Sequence, residues 1–329
     1  MTTRLSVVCS LVSLAAALLP VRASAQTVVP EAADTRIVSD PLFLPLKGQV
    51  YGATIYSFNQ PTGENFKAGA ETSSFTAGDH LVNQTLAYGL LDRLTLRLGF
   101  GYGVNERDST TEATGDVTVG NARGWSDPTV SATYRLLDET SAPLIVDVTG
   151  GFSPDLIDAK ASGGVGTGTI GRGGRNADLG VSFGRVTRGF TLAGTTAATY
   201  VGQQTTLQLS NGTSTSADAH WSYSVGLATQ TRFTARTSLG AGVTVGSAAD
   251  YAVSNVDTGK THTYGAPLTR SLNLAFNYHV VPNRFVVAVA YAYDNDTSAT
   301  NTFVKATSNT AVKDRSGSTV GVRLMYLFQ

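Results

Sequence analysis

The sequence predicts an all-β protein: a twelve-stranded antiparallel transmembrane β-barrel of the bacterial outer membrane, with short periplasmic turns and long extracellular loops. Three observations lead to this fold. Apolar residues alternate with small or polar residues in twelve segments, the connections between the segments are alternately short and long, and aromatic residues gather beside both kinds of connection. A closed barrel pairs its backbone groups between strands and leaves no open edge, as a sheet in a membrane requires.

The composition favours β structure and excludes several other classes. Of the 329 residues only 15% are charged, compared with roughly 25% in soluble domains. Glycine, threonine, serine and asparagine are abundant instead, and because they are poor helix formers a helical bundle is excluded. The 24 basic and 24 acidic residues give a net charge of zero, which does not suit a nucleic-acid partner.

Residues 1–25 are predicted to be a signal peptide that is cleaved after Ala25. Arg4 precedes an apolar stretch from Leu5 to Leu19, and Ala23-Ser24-Ala25 has the small-x-small pattern that signal peptidase cleaves. This stretch is shorter than the roughly 20 residues of a transmembrane helix. Cleavage removes Cys9, the single cysteine, so no disulfide is available to the mature chain. Export and the barrel pattern together predict location in the bacterial outer membrane.

Two further regions follow: a segment over 26–49 and the barrel over 50–329. The segment contains Pro30, Pro41 and Pro45 and therefore cannot be a central strand, because proline donates no ladder hydrogen bond. It is predicted to be a periplasmic segment that lies under the barrel or enters the lumen as a plug.

In the barrel region, apolar side chains recur with the period of two that is typical of strands. One strand places Leu94, Leu96 and Leu98 on one face and Thr95, Arg97 and Gly99 on the other. In a soluble sandwich the apolar faces pack on each other, whereas in an outer-membrane barrel they face lipid and the polar faces line the lumen. Alternation alone is compatible with both folds.

The lengths of the connections favour the barrel. Short ones lie near 91–93, 138–142, 187–189, 230–234 and 281–284, and long ones near 59–79, 104–123, 153–174, 202–218, 247–263 and 295–314. A β-hairpin needs only about two to five loop residues, so long connections that all fall on one side are typical of extracellular loops. The glycine-rich run at 163–174 leads into a strand and is predicted to be a flexible external loop rather than a phosphate-binding loop.

Aromatic residues gather at both ends of the predicted strands, which predicts the two girdles that barrels place at the membrane interfaces. Those beside long loops are Tyr102, Trp125, Phe152, Tyr200, Trp221 and Tyr293, and those beside short turns are Tyr88, Tyr134, Phe183, Tyr278, Tyr326 and Phe328.

Strand parity places six charged residues on the lumen side, where a charge avoids the cost of facing lipid. They are Arg97, Arg135, Asp147, Asp178, Arg236 and Arg323. These charges form either a salt-bridge ladder that fills the lumen or a charged constriction. If the lumen is open, four arginines against two aspartates predict a modest preference for anions. Inward glycines, among them Gly99, Gly101 and Gly103, are expected to leave space inside.

The sequence predicts no catalytic residue, no cofactor and no metal site. His80, His220, His262 and His279 occur without a G-x-S-x-G or H-E-x-x-H motif. Surface or lumen positions are therefore expected for them, and a barrel hydrolase is the least favoured alternative.

Three stretches resemble a known family. They are Gly124-Trp125-Ser126-Asp127-Pro128-Thr129-Val130 with the following Tyr134-Arg135-Leu136-Leu137, the turn from Leu90 to Leu96, and the run from Gly174 to Gly180. The chain resembles the outer-membrane transporters grouped under the meta-pathway of phenol degradation. The resemblance implies a small barrel that takes up hydrophobic or aromatic compounds. Barrels of this kind end on an aromatic residue that the assembly machinery recognises, whereas here Gln329 follows Phe328, so recognition is expected one residue earlier.

The sequence thus predicts a channel for passive uptake of small molecules, hydrophobic or aromatic compounds among them. The alternative is a non-transporting barrel whose loops bind partners or surfaces. The expected partners are outer-membrane lipid and lipopolysaccharide, the barrel-assembly machinery through the C-terminal strand, and a small-molecule solute.

Overall fold

The structure is a computed structural model that describes residues 37–328 apart from 68–69, 112–113, 115, 140–141, 163–165, 188, 260, 266–267, 297–298 and 304–309. The predicted signal peptide, residues 26–36 and Gln329 lie outside the described residues. No helix in the described part of the chain is long and apolar enough to cross a membrane.

The described residues form nineteen strands. These are β1 (Val50–Lys67), β2 (Ala70–Leu91), β3 (Leu94–Thr111), β4 (Val117–Trp125), β5 (Thr129–Leu137), β6 (Ile145–Ser153), β7 (Ala159–Ala161), β8 (Asn176–Thr187), β9 (Phe190–Val201), β10 (Gln204–Gln208), β11 (Ser214–Ala217), β12 (His220–Arg232), β13 (Thr237–Ala248), β14 (Tyr251–Asn255), β15 (Thr261–Tyr264), β16 (Leu268–Val281), β17 (Phe285–Asp296), β18 (Ala299–Phe303) and β19 (Thr310–Phe328).

Twelve of these strands form a closed antiparallel barrel. Its wall runs in the order β1, β2, β3, β5, β6, β8, β9, β12, β13, β16, β17 and β19, and each strand pairs with both neighbours. The first and last strands close the ring, from Val50 opposite Phe328 to Lys67 opposite Thr310. The fold class predicted from the sequence is confirmed.

The short turns lie at one end of the barrel, here called the periplasmic end, together with the start of β1 and the end of β19. Two of these turns use a backbone conformation that few residues adopt: Gly189 has φ of 81° and Asn283 has φ of 58°. Glycine and asparagine tolerate the left-handed region best, so these residues allow the chain to reverse within a few positions.

The long connections are largely β structure rather than irregular loops. β1 and β2 stay paired as far as Lys67 and Ala70, and β4 continues the line of β5 along the outer half of β3. Short strands extend the other connections, and β7 pairs with β10 in parallel. The external end of the barrel is therefore a hydrogen-bonded extension of the wall.

The two faces of the wall differ as the alternation predicts. On β3 the outward Leu96, Leu98 and Tyr102 are exposed, whereas the inward Thr95 and Gly101 are buried. Polar groups on the outward face satisfy one another: Thr54 Oγ1 donates to Gln84 Oε1 at 2.5 Å, and Gln84 Nε2 donates to the hydroxyl of Tyr326 at 2.8 Å. The outward face is thus the apolar belt of a membrane barrel.

The buried apolar core lies inside the periplasmic end. One cluster joins Val38 to Ala53, Val286, Ala288 and Met325. A second cluster joins Leu42 to Ile145 and Ala193. Both clusters depend on residues that precede the first strand, so the core of the molecule is the contact between the N-terminal segment (residues 37–49) and the wall.

Candidate functional site: the barrel lumen

The N-terminal segment crosses the periplasmic mouth from wall to wall. Val38 packs against β1, β17 and β19, while Leu42 packs against β6 and β9. Because β1 and β9 lie opposite each other in a ring of twelve strands, five consecutive residues span the mouth. Sequence reasoning left open whether this segment lies under the barrel or enters the lumen; Val38 and Leu42 contact inward residues of the wall, whereas Leu46 is 41% exposed.

Hydrogen bonds hold the N-terminal segment at three further points. Arg135 Nη2 donates to the carbonyl oxygen of Leu42 at 2.6 Å. Gln230 Nε2 donates to Ser39 Oγ at 2.8 Å. The hydroxyl of Thr191 donates to Asp40 Oδ2. These donors come from β5, β12 and β9, so the segment is fixed on several sides of the mouth.

Asp40 is the buried acid of this segment, only 9% exposed. Burial raises the pKa of its carboxyl above the ordinary value of 3.8. The hydrogen bonds from Thr191 and from the backbone N–H of Leu42, and the charges of Arg135 and Arg232, act in the opposite direction but do not cancel the effect of burial. The docked segment therefore favours the protonated acid.

The docking of the N-terminal segment should weaken as pH rises. A buried acid with a raised pKa binds its proton more tightly when docked, so docking is most favourable below pH 3.8 and weakens as pH rises through the higher, docked-state pKa. We expect the conductance of the reconstituted barrel to rise over that range and Asp40→Asn to abolish the rise. Asp92→Asn, in the exposed β2–β3 turn, should keep it; a response that persists in Asp40→Asn would exclude Asp40 as the cause.

Arg135 and Asp147 form a buried ion pair across β5 and β6. Nε and Nη2 of Arg135 donate to Oδ1 and Oδ2 of Asp147 at 2.8 and 2.9 Å, and both side chains are about 95% removed from solvent. The strand register places the two residues directly opposite each other. The two charges neutralise each other, so neither is available to attract a solute.

Arg97 and Arg323 remain without such partners. Both lie on the inward face near the periplasmic end, Arg97 on β3 and Arg323 on β19. Within the described residues the Arg97 side chain has no hydrogen bond or ion pair, and Nε of Arg323 is buried with no hydrogen-bond partner. The positive charges of both guanidinium groups act on the side chain of Tyr51 of β1.

The two other predicted lumen charges lie elsewhere. Asp178 is on the inward face of β8, where it accepts a hydrogen bond from Thr199 Oγ1 at 2.7 Å. The structure corrects the position of Arg236: because β13 begins at Thr237, Arg236 lies in the exposed β12–β13 turn rather than on the inward face. Of the six charges, two form an ion pair, two arginines have no partner among the described residues, Asp178 bonds to a threonine, and Arg236 lies outside the lumen.

A loop at the external end reaches into the lumen. Asp127, between β4 and β5, is 5% exposed and accepts backbone N–H groups of Leu156 and Ile157 at 2.9 Å and of Arg172 at 3.0 Å. It thereby holds both ends of the β6–β8 loop, defined as residues 154–175 apart from 163–165. Cδ1 of Ile170 lies 2.8 Å from the position that a Cβ would take on Gly103, so the loop touches the inner wall.

The described part of the glycine-rich run is therefore anchored, which sequence reasoning missed. The N–H of Gly168 also donates to the carbonyl of Asn121 at 2.7 Å, and the N–H of Arg123 donates to the carbonyl of Gly168 at 3.1 Å. Residues 163–165 lie outside the described residues. No local sequence signal pointed to this anchoring, because the N–H groups that Asp127 accepts lie about 30 to 45 positions away.

Replacing Asp127 with alanine should loosen the β6–β8 loop. Three backbone N–H groups lose their acceptor, and each must find water instead. We expect trypsin to cleave the folded barrel after Arg172 several times faster in Asp127→Ala than in the parent chain. Asp155→Ala, an exposed acid of the same loop, is the control; equal cleavage rates in the two variants would show that Asp127 does not hold the loop.

The inward glycines of β3 do not leave the open space that was expected. A Cβ on Gly99 would lie 2.6 Å from Thr129 Oγ1, and one on Gly101 would lie 2.3 Å from Asn83 Oδ1. Neighbouring inward side chains thus occupy the space in the lumen beside these two glycines. Gly240 differs, because the nearest atoms to its Cβ position are 3.7 Å away.

The predicted girdle residues lie on the outward face at the two ends of the wall. At the external end Tyr102 packs on Trp125 with ring centroids 5.5 Å apart, and Tyr200 packs on Trp221 at 5.3 Å. At the periplasmic end Tyr326 packs on Phe328 at 5.2 Å. Exposed members of the set are Tyr88, Tyr102, Trp125, Tyr134, Phe152, Tyr200, Trp221, Tyr278, Tyr293 and Phe328, and half-buried members are Phe183 and Tyr326.

The described histidines do not assemble a catalytic group. His80 bonds to the hydroxyl of Tyr56 at 2.9 Å, and His220 stacks on Tyr251. Nε2 of His279 lies 3.4 Å from Ser238 Oγ, but both residues are fully buried and Nδ1 of His279 has no partner among the described residues. A catalytic histidine needs a group that orients its second nitrogen, and this pair lacks one.

The side chain of His262 lies outside the described residues. Among the residues that the structure describes, no group of three or more histidine, cysteine, aspartate or glutamate side chains is placed to hold a metal ion.

Comparison with known proteins supports the fold. No family model matches the sequence and no curated protein matches it. Among solved structures, an outer-membrane channel of Pseudomonas putida F1 superposes with a TM-score of 0.55 at 16% identity, covering 88% of this chain and 99% of that one. The fold is that of an outer-membrane barrel. The transport unit of an autotransporter of Escherichia coli superposes with a TM-score of 0.54 at 12% identity, covering 88% and 95% of the two chains.

Proposed function

We propose that the protein is a channel of the bacterial outer membrane that passes small molecules by diffusion. The observation that carries this proposal is the division of the wall into an apolar outward face and a small or polar inward face. A closed barrel of this kind separates lipid from a lumen in which polar groups can contact water and solute. The β6–β8 loop and the N-terminal segment narrow the two ends of that lumen.

The apolar outward face of the wall also supports a proposal for the environment of the protein. The outward belt and its aromatic ends suit outer-membrane lipid with lipopolysaccharide in the external leaflet. The C-terminal strand ends on Tyr326 and Phe328 on the outward side, where the assembly machinery would recognise them. The resemblance to transporters of the phenol-degradation group supports hydrophobic or aromatic compounds as solutes.

Discrete current steps in planar bilayers are the test of the channel. We expect the purified protein to give such steps, with a modest preference for anions in a salt gradient because Arg97 and Arg323 have no acidic partner among the described residues. Heat-modifiable migration on a gel verifies that the inserted barrel is folded. A folded barrel that stays electrically silent would reject the channel.

A non-transporting barrel is the alternative. It is supported by the external β structure, which contains a polar cavity of about 410 Å³ lined by residues such as Asp158, Lys160 and Gln203. Deleting the external hairpins one at a time distinguishes the two functions. Solute flux should survive these deletions if the protein is a channel, whereas partner or surface binding should be lost if it is an adhesive barrel.

A further inference from the structure

Two unpaired cationic side chains face the lumen next to the N-terminal segment. Nε of Arg323 is buried and has no hydrogen-bond partner among the described residues, although a buried donor of this kind costs free energy when unpaired. The guanidinium of Arg97 is half-buried and also has no partner in that part of the chain. Both groups thus have unused capacity to donate hydrogen bonds.

The strand register places these arginines on the same side of the lumen, on strands separated by β1 and β2. Arg97 lies opposite Ala87, and Ala87 lies opposite Tyr51 on the next strand. Arg323 lies opposite Ile55, which is on the same face of β1 as Tyr51. In the wall, β1 with Tyr51 lies between β19 with Arg323 and β3 with Arg97, and the charges of both arginines act on Tyr51.

Neither arginine forms an ion pair with an acid in the part of the chain that the structure describes. The acid that acts on Arg97 is Asp147, and both of its carboxylate oxygens already accept hydrogen bonds from Arg135. A local excess of positive charge therefore remains in the lumen, where a low-dielectric wall strengthens its field.

An aromatic surface adjoins the two arginines. The ring of Phe43 in the N-terminal segment lies 5.7 Å from the ring of Tyr51, centroid to centroid, with an interplanar angle of 53°. Phe43 and Tyr51 also pack against the apolar cluster that contains Met325. A solute that enters from the external end and stops at the segment meets positive charge and apolar surface together.

We propose that Arg97, Arg323 and Tyr51 form a binding site for a small carboxylate that carries an aromatic group. The guanidinium groups match the planar, bidentate geometry of a carboxylate, the tyrosine hydroxyl donates a further hydrogen bond, and the ring of the solute packs on Phe43 and Tyr51. The site rests on the proposed channel function and adds to it a class of solute that the lumen selects.

Benzoate is the probe, with benzamide as its neutral isostere and acetate as the carboxylate without a ring. Equilibrium dialysis against the detergent-purified protein should show saturable binding of benzoate and at least about tenfold weaker binding of the other two, because each lacks one of the two interactions. Equal binding of benzamide would overturn the proposal, and this comparison needs no variant.

Arg97→Gln and Arg323→Gln should each weaken benzoate binding by at least about tenfold, since each removes one charge-assisted contact. Tyr51→Phe should weaken it by less. Arg270→Gln is the matched control, because Arg270 lies on the outward face of β16 and is exposed; it should bind benzoate as the parent does. Unchanged binding in both lumen variants would overturn the site.

Single-channel recording separates the failure of the site from the failure of the channel. Reduced current through the parent on adding benzoate, relieved in Arg97→Gln, supports both. A conducting barrel that neither binds benzoate nor responds to it rejects the site alone, and a silent barrel that binds benzoate rejects the channel alone.

Discussion

Arg135→Ala should lower the free energy of unfolding of the barrel by about 3–5 kcal/mol, because it leaves the carboxylate of Asp147 buried without a partner. The same change removes the hydrogen bond to the carbonyl of Leu42 and so loosens the N-terminal segment. Urea unfolding of the barrel in lipid vesicles, followed by tryptophan fluorescence, measures the effect.

Two control variants make this result specific. Arg93→Ala breaks an ion pair to Asp138 of the same length, 2.8 Å, but Arg93 is 43% exposed, so its cost should stay below about 1 kcal/mol. The double variant Arg135→Met with Asp147→Leu removes both charges and should recover most of the loss. A single variant as stable as the parent would mean that water reaches Asp147.

Leu42→Asp should give a several-fold higher single-channel conductance. The change puts a carboxylate among Ile145 and Ala193, where Leu42 now contributes about 1.5–3 kcal/mol of apolar burial, and burying an unpaired charge costs more than the segment can recover by staying docked. The N-terminal segment should then leave the periplasmic mouth and increase the open cross-section.

Leu46→Asp provides the matched control for this experiment. Leu46 belongs to the same segment but is 41% exposed, so a carboxylate there meets water and conductance should stay at the parental value. An unchanged conductance in Leu42→Asp, in a barrel shown to be folded, would mean that the segment does not limit the current.

The sequence was sufficient to predict the wall of the barrel, because a period of two assigns each strand residue to a face. Arg97, Arg135, Asp147, Asp178 and Arg323 all lie on the predicted inward face. The pairing of Arg135 with Asp147 was also within reach: once the hairpin between β5 and β6 is set in register, the two residues are opposite each other.

Contacts between distant parts of the chain could not be predicted in this way. The docking of Val38 and Leu42 depends on the shape of an assembled mouth, and no local pattern encodes it. The infolding of the β6–β8 loop likewise depends on where Asp127 meets residues some thirty to forty-five positions away. Arg236 was misplaced because parity assumes that the strand has already begun, and strand ends are the least certain feature of an alternating pattern.

The contacts of Val38 have a consequence for the order of folding. Val38 packs against Ala53 of β1 and Met325 of β19, and the pairing of these two strands closes the ring. This binding surface for Val38 does not exist until β1 and β19 have paired, which is a late and slow event because the two strands are far apart in the sequence. Docking of the N-terminal segment therefore cannot precede closure, and once docked its apolar contacts bridge the seam and oppose its reopening.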